Sequence, residues 1–166
     1  MRSDLRLLPF TLALSCHATA TAEPLALFQG KGMELSDTIS TVDLRSIRDG
    51  AISAARSCRS PSLVIEGIRS SSEPGAGWQL FLTAKGPEVP AALSDAARVS
   101  TLNFYGTSRV GALGRKVSFP IDPSLIARLA STRHVDVPLQ LHLAPTKRPT
   151  EGSHPRLGLV ALWCLD

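Results

Sequence analysis

The chain has 166 residues, 43% hydrophobic and 19% charged, with 18 basic and 14 acidic side chains for a net charge of +4. That length suits one domain able to bury a respectable core. The mild positive excess is spread over scattered arginines with few aromatic neighbours, which excludes the focused basic face that nucleic-acid binding needs.

Arg2 and Arg6 precede the apolar run Leu7–Leu14, and Ala20-Thr21-Ala22 follows at cleavage spacing. A charged start, a short apolar core and an A-x-A end form a secretory signal peptide. The run is well short of the roughly 20 apolar residues of a membrane span. Cleavage is expected after Ala22, giving a secreted or periplasmic protein. Leu14-Ser15-Cys16 has the shape of a lipoprotein box, but Ala13 stands where leucine is preferred, so anchoring at Cys16 is the lesser reading. The mature part then carries 16 basic and 13 acidic side chains.

Residues 23–37, beginning "EPLALFQGKG", read as a leader, and residues 38–166 as a single domain. "ISTVDL" (39–44) is a weak first strand, and "SIRDGAISAARSC" (46–58) reads as a loop with at most a turn of helix. "SLVIEGIR" (62–69) sets Leu63, Ile65 and Gly67 against Val64, Glu66 and Ile68. "GWQLFLTAK" (77–85) groups Trp78, Leu80 and Leu82 on one face. "VSTLNFYG" (99–106) and "KVSFPI" (116–121) flank a glycine-rich basic stretch. In "DPSLIARLAS", Asp122 caps a helix, Pro123 takes its first position, and Leu125, Ile126 and Leu129 form an apolar stripe. "VDVPLQLHLAP" (135–145) points Val137, Leu139, Leu141 and Leu143 inward and Gln140 and His142 outward; Pro138 puts it at an edge or at a bulge. "RLGLVALWCL" (156–165) is the last strand. This pattern predicts an all-β fold, an antiparallel β-sandwich of about seven strands with one short crossover helix.

Chemistry is harder to find. Gly106 and Gly111 have the first half of a phosphate-loop spacing, but Ala112 and Leu113 replace the lysine and hydroxyl, and a strand follows instead of a helix. The stretch reads as a long hairpin connection. His134, His142 and His154 lack HxH, HxxxH or HExxH spacing, so no metal site is expected. No GxSxG elbow or carboxylate pair appears, and the chain reads as non-catalytic and without a cofactor. Cys58 and Cys164 have no CxxC or CxH neighbour. In an oxidising compartment they read as a disulfide, with free thiols as the rival.

The strand order "STVDLRS", "SLVIEGI", "GWQLFLTAKGPEVP", "VSTLNFYG", "RKVSFPIDPSLIARLA", "VPLQLHLAPT" and "PRLGLVALW" resembles the C-terminal β-sandwich of the tyrosinase and polyphenol oxidase family over roughly residues 38–163. In that family the domain shields a helical dicopper core held by six histidines. Three mature histidines cannot supply six, and none matches a copper ligand, so the resemblance implies the fold and a partner rather than oxidase activity. The implied partner is a tyrosinase-like dicopper oxidase in trans, shielded or helped to mature. The family's pocket-plugging residue has Phe104, Tyr105 and Trp78 as aromatic candidates here. Phe104, Tyr105, Arg109 and Arg115 are the partner-binding candidates. The alternative is a free-standing secreted binding module for an envelope, sugar or protein ligand, meeting it through the basic stretch from Arg109 to Lys116.

Overall fold

The computed structural model describes residues 24–86, 93–109, 113–131 and 138–165. The expected signal peptide with Cys16, and also Gly111, Ala112, His134 and Val137, lie outside the described residues. Eight strands are present among those described: β1 (Leu25–Lys31), β2 (Ser40–Ser46), β3 (Pro61–Ile68), β4 (Gly77–Ala84), β5 (Arg98–Asn103), β6 (Arg115–Pro120), β7 (Leu139–Pro145) and β8 (Leu159–Cys164). Helix α1 (Ala51–Ser57) joins β2 to β3, and α2 (Pro123–Ser131) joins β6 to β7. No described helix is long and apolar enough to cross a membrane.

All strand pairs are antiparallel, in the order β5-β4-β7-β2-β1-β8-β3-β6. The two edge strands, β5 and β6, approach one another, so the sheet curls until it nearly closes. The all-β antiparallel architecture stands, but the two faces of the expected sandwich belong to one continuous barrel-like sheet. Leu27, Phe28, Leu44, Leu63, Ile65, Trp78, Leu80, Leu82, Leu141, Leu143, Val160 and Leu162 fill the interior. Side chains from successive inward positions of one curled sheet therefore face each other across a single core.

The structure departs from the sequence reading in several places. The segment read as a leader holds β1, which lies between β2 and β8 in the middle of the sheet. A bulge between Ala26 and Phe28 turns both Leu27 and Phe28 inward, which breaks the period-two signal. The segment read as a loop holds α1, whose Ala51 and Ala55 are buried one helical turn apart. Gly50 precedes this helix without a side-chain cap, so α1 is held by packing rather than by local signals. It sits against α2, and Arg56 Nη2 donates to the Ala130 carbonyl at 2.6 Å, satisfying an end carbonyl of α2.

Of the two placements that Pro138 suggests, an edge strand or a bulge at the strand start, the edge does not hold: β7 lies between β4 and β2. The proline precedes Leu139, so its missing N–H falls outside the ladder, and its carbonyl accepts from Lys85 N at 2.8 Å. The expected cap of α2 is formed: Ser124 N donates to Asp122 Oδ1 at 2.8 Å, and this backbone bond holds the carboxyl below its ordinary range. Cys58 and Cys164 form a disulfide with Cα atoms 5.7 Å apart, tying the end of α1 to the end of β8.

Candidate functional site at the β5–β6 tip

The stretch from Asn103 to Phe119 is not a hairpin. β5 pairs with β4 and β6 pairs with β3, so this stretch spans the seam where the curled sheet almost meets itself. Alternation continues past β5: Leu102 and Phe104 turn in, while Asn103 and Tyr105 turn out. Phe104 is 1% exposed and meets the fully buried Trp78 edge-on, with ring centroids 5.0 Å apart. Both are core residues, so Phe104 is corrected from partner-binding to anchoring, and Trp78 is no plug candidate. Tyr105, next in the chain, is 84% exposed, and Leu113, across the tip, is 93% exposed.

The backbone just after Tyr105 is held by hydrogen bonds at Gly106 and Thr107. Gly106 has a positive φ of 74°, and its N–H donates to Glu73 Oε1 at 2.7 Å. Thr107 is buried and donates its hydroxyl to the Phe104 carbonyl at 2.7 Å. Its single proton is used there, so Ser70 Oγ, 2.8 Å away, donates to Thr107 Oγ1. Arg115 is exposed and donates from Nη1 to the Tyr105 carbonyl at 3.4 Å, which brings two of the predicted residues together. The side chain of Arg109 lies outside the described residues. Beside the tip, Glu73–Gly77 and Asn103–Tyr105 wall a cleft of about 340 Å³. Thr146 and Thr150 pin its outer wall by hydrogen bonds to Gly77 and Pro74.

Tyr105 thus stands exposed beside a hydrogen-bonded backbone, and Leu113 is exposed just before Gly114, Arg115 and Lys116. Lys116 Nζ pairs with Glu66 at 2.7 Å and lies 5.9 Å from the Trp163 ring centroid. No three of histidine, cysteine, aspartate and glutamate converge as metal ligands among the described residues. Glu73 and Ser70 were missed in the sequence, because they brace the tip from a segment distant in the chain. The split between Phe104 and Tyr105 was available from simple alternation.

No protein-family model matches the sequence, and no curated protein matches it. Among solved structures, the chain is similar in fold to recombinantly expressed latent aurone synthase, a polyphenol oxidase, over 81% of this chain and 26% of that one, at 12% identity and a TM-score of 0.46. The same protein co-crystallised with hexatungstotellurate(VI) gives 12% identity and a TM-score of 0.48 over 78% of this chain and 25% of that one. Latent aurone synthase from its natural source gives 12% identity and 0.46 over 78% and 25%. The chain spans about a quarter of the length of these structures, and at this identity the likeness concerns the fold alone.

Proposed function

We propose that this chain is an exported, non-catalytic β domain that binds a separately encoded tyrosinase-like copper oxidase. It shields the oxidase's substrate opening or assists its maturation. The resemblance of the strand order to the tyrosinase family's sandwich supplies the class of partner. The observation that carries the reading is Tyr105, an aromatic 84% exposed one residue beyond a buried anchor.

The backbone on either side of Tyr105 is braced by Phe104, Glu73 and Thr107, so presenting the ring to a pocket costs little backbone freedom. Exposed aromatics dominate binding energy when they fill a partner's cavity. Leu113 adds apolar contact, and Arg115 and Lys116 give the rim its charge.

The test uses the full chain as bait in the exported fraction of its source, read by mass spectrometry. Stoichiometric recovery of a copper oxidase, lost with Tyr105→Ser while that variant keeps its melting temperature, is the expected result. Recovery that is unchanged by Tyr105→Ser removes the tip from the interface. Diphenol oxidation by the purified, copper-loaded chain alone ends the non-catalytic reading.

A further inference from the structure

Away from the tip, the ladder between β1 and β2 stops short. The two strands pair only at Phe28–Ser46 and Gln29–Arg45, with Ile47 N donating to Leu27 O at 3.1 Å. Each residue of an antiparallel strand aims both backbone groups to one side, and the next residue aims them to the other. Since Ile47 bonds toward β1, so do Arg45, Asp43 and Thr41, while Leu44, Val42 and Ser40 face β7. On β1, Gly32 N donates to Gly158 O at 3.0 Å on the β8 side, which leaves Gln29 and Lys31 facing β2. Lys31 and Asp43, next in line after Gln29 and Arg45, are not register partners. Among the described residues no backbone bond joins Thr41 to Met33 beyond them.

Gly30 marks where the strands part. A Cβ there would meet Asp43 O and Val42 Cγ1, each at 2.6 Å, so β1 runs hard against β2 as far as Gly30 and diverges past it. Residues 29–33 on one wall and 41–43 with Arg45 on the other line an open cleft of about 600 Å³. Its rim on the outer face of the sheet is basic. Lys31 and Arg45 are exposed there, and neither forms an ion pair among the described residues. Asp43, the acid on this face, is engaged from the opposite side by Lys85 Nζ at 2.6 Å and Gln140 Nε2 at 2.9 Å, and Arg45 adds only a smaller pull on its carboxyl. The Thr41 hydroxyl is likewise taken, lying 2.9 Å from His142 Nδ1. What the cleft offers is therefore the backbone of Thr41 and Lys31 and two cationic side chains.

We infer that this fork takes an extended peptide segment carrying an acidic side chain, its backbone added to the free edge of β2 at Thr41 and its carboxylate held by Lys31 and Arg45. An N–H and a C=O aimed the same way from one residue are matched by those of an opposed extended residue, which is how a strand joins a bare sheet edge. The two cations supply the preference for an acid, since a guanidinium and an ammonium both donate and a carboxylate only accepts. A cleft of this volume is in the range that holds a compact ligand such as a few residues of chain. The inference does not depend on the oxidase reading, since none of these residues belongs to the tip.

The test is an NMR titration of the full chain with a blocked pentapeptide of threonine and valine around a central glutamate. Saturable amide shifts at Lys31, Thr41 and Asp43 are expected. Lys31→Gln and Arg45→Gln, both at exposed positions, keep the folded spectrum and each weaken binding by about threefold, the scale of an exposed ion pair. A glutamine-centred peptide binds more weakly and is indifferent to both variants. N-methylation of alternate peptide amides weakens binding by about tenfold or more in one phase and little in the other, because only one edge of the added strand meets β2. Equal loss in both phases, free glutarate binding as tightly as the peptide, or no saturation below about 5 mM peptide overturns the inference. So do shifts at these residues that grow with the concentration of the chain alone, which make a second copy the occupant.

Discussion

His142 is fully buried among the outer-face side chains of three neighbouring strands. Thr41, opposite it on β2, places Oγ1 2.9 Å from Nδ1, and Thr83 on β4 places Oγ1 2.9 Å from Nε2. The alternation put His142 on the outer face correctly. Its exposure was misjudged, because a one-dimensional pattern does not show that flanking threonines enclose the ring. Burial favours the neutral imidazole and lowers the pKa from 6.5, against a smaller opposing pull from Asp43. Asp43 is itself committed to Lys85 at 2.6 Å and Gln140 at 2.9 Å, the first holding its carboxyl low more than the second. With the folded pKa depressed, the unfolded chain takes up the proton first. Stability is therefore full above 6.5 and falls as pH drops from there toward the folded value. Denaturant unfolding between about pH 7.5 and 5 should show this slope, and His142→Gln should remove it. The carboxylates with lowered values, Glu34, Asp43 and Asp122, act only below that window. A slope that survives in the variant shows that another group causes it.

At the scale of elements, local chemistry was legible wherever a signal was written in adjacent residues. The cap and first-turn proline of α2 and the apolar face of β4 are of this kind. Helix α1 and strand β1 were not legible, since α1 lacks a capping side chain and β1 breaks its alternation at a bulge. The face switch of β3 has the same origin. Leu63 and Ile65 point inward, but a register shift follows, Gly67 takes φ of 67°, and Ile68 rather than Gly67 enters the core. At that bulge three backbones converge. A Cβ on Gly67 meets Gly158 Cα at 2.9 Å, and one on Gly114 meets the Gly67 carbonyl carbon at 2.7 Å. Gly114 follows Leu113 directly, so this junction also sets where Leu113 sits relative to β3. Gly50 offers a control, with φ of 69° and nothing near its would-be Cβ. Gly50→Ala should cost only the dihedral strain, on the order of 1–3 kcal/mol. Gly67→Ala adds a backbone clash and should cost clearly more by denaturant unfolding. Equal losses for the two show that the three backbones separate without cost.

Across the whole molecule, the sheet closes through pairings between distant segments, and the disulfide adds a covalent link at one point of that circuit. Pro61 and Cys164 are already register partners across β3 and β8, so the strands do not need the bond to be aligned. What it adds is α1, whose end at Cys58 is fastened to the end of β8, while α1 in turn carries Arg56 onto α2. The tyrosinase-like reading never depended on this bond, and the cysteine count alone left free thiols open. The structure joins residues 106 apart in sequence. A loop that long, left uncrosslinked, gives the unfolded chain freedom worth about 4–5 kcal/mol in the chain-entropy picture. Single domains hold only about 5–15 kcal/mol in total, so the bond decides much of the margin. The Cys58→Ser, Cys164→Ser double variant should lose stability of that order in denaturant unfolding, with the slope against denaturant changed because its unfolded chain is less compact. At neutral pH it should keep a folded spectrum with the β1–β8 and β3–β8 pairings intact, since those rest on backbone bonds and on Leu162, Val160 and Ile65. A loss below about 1 kcal/mol would mean that the unfolded chain is already held compact by other contacts. Disruption of the β3–β8 pairing itself would mean that the bond sets the register rather than reinforcing it.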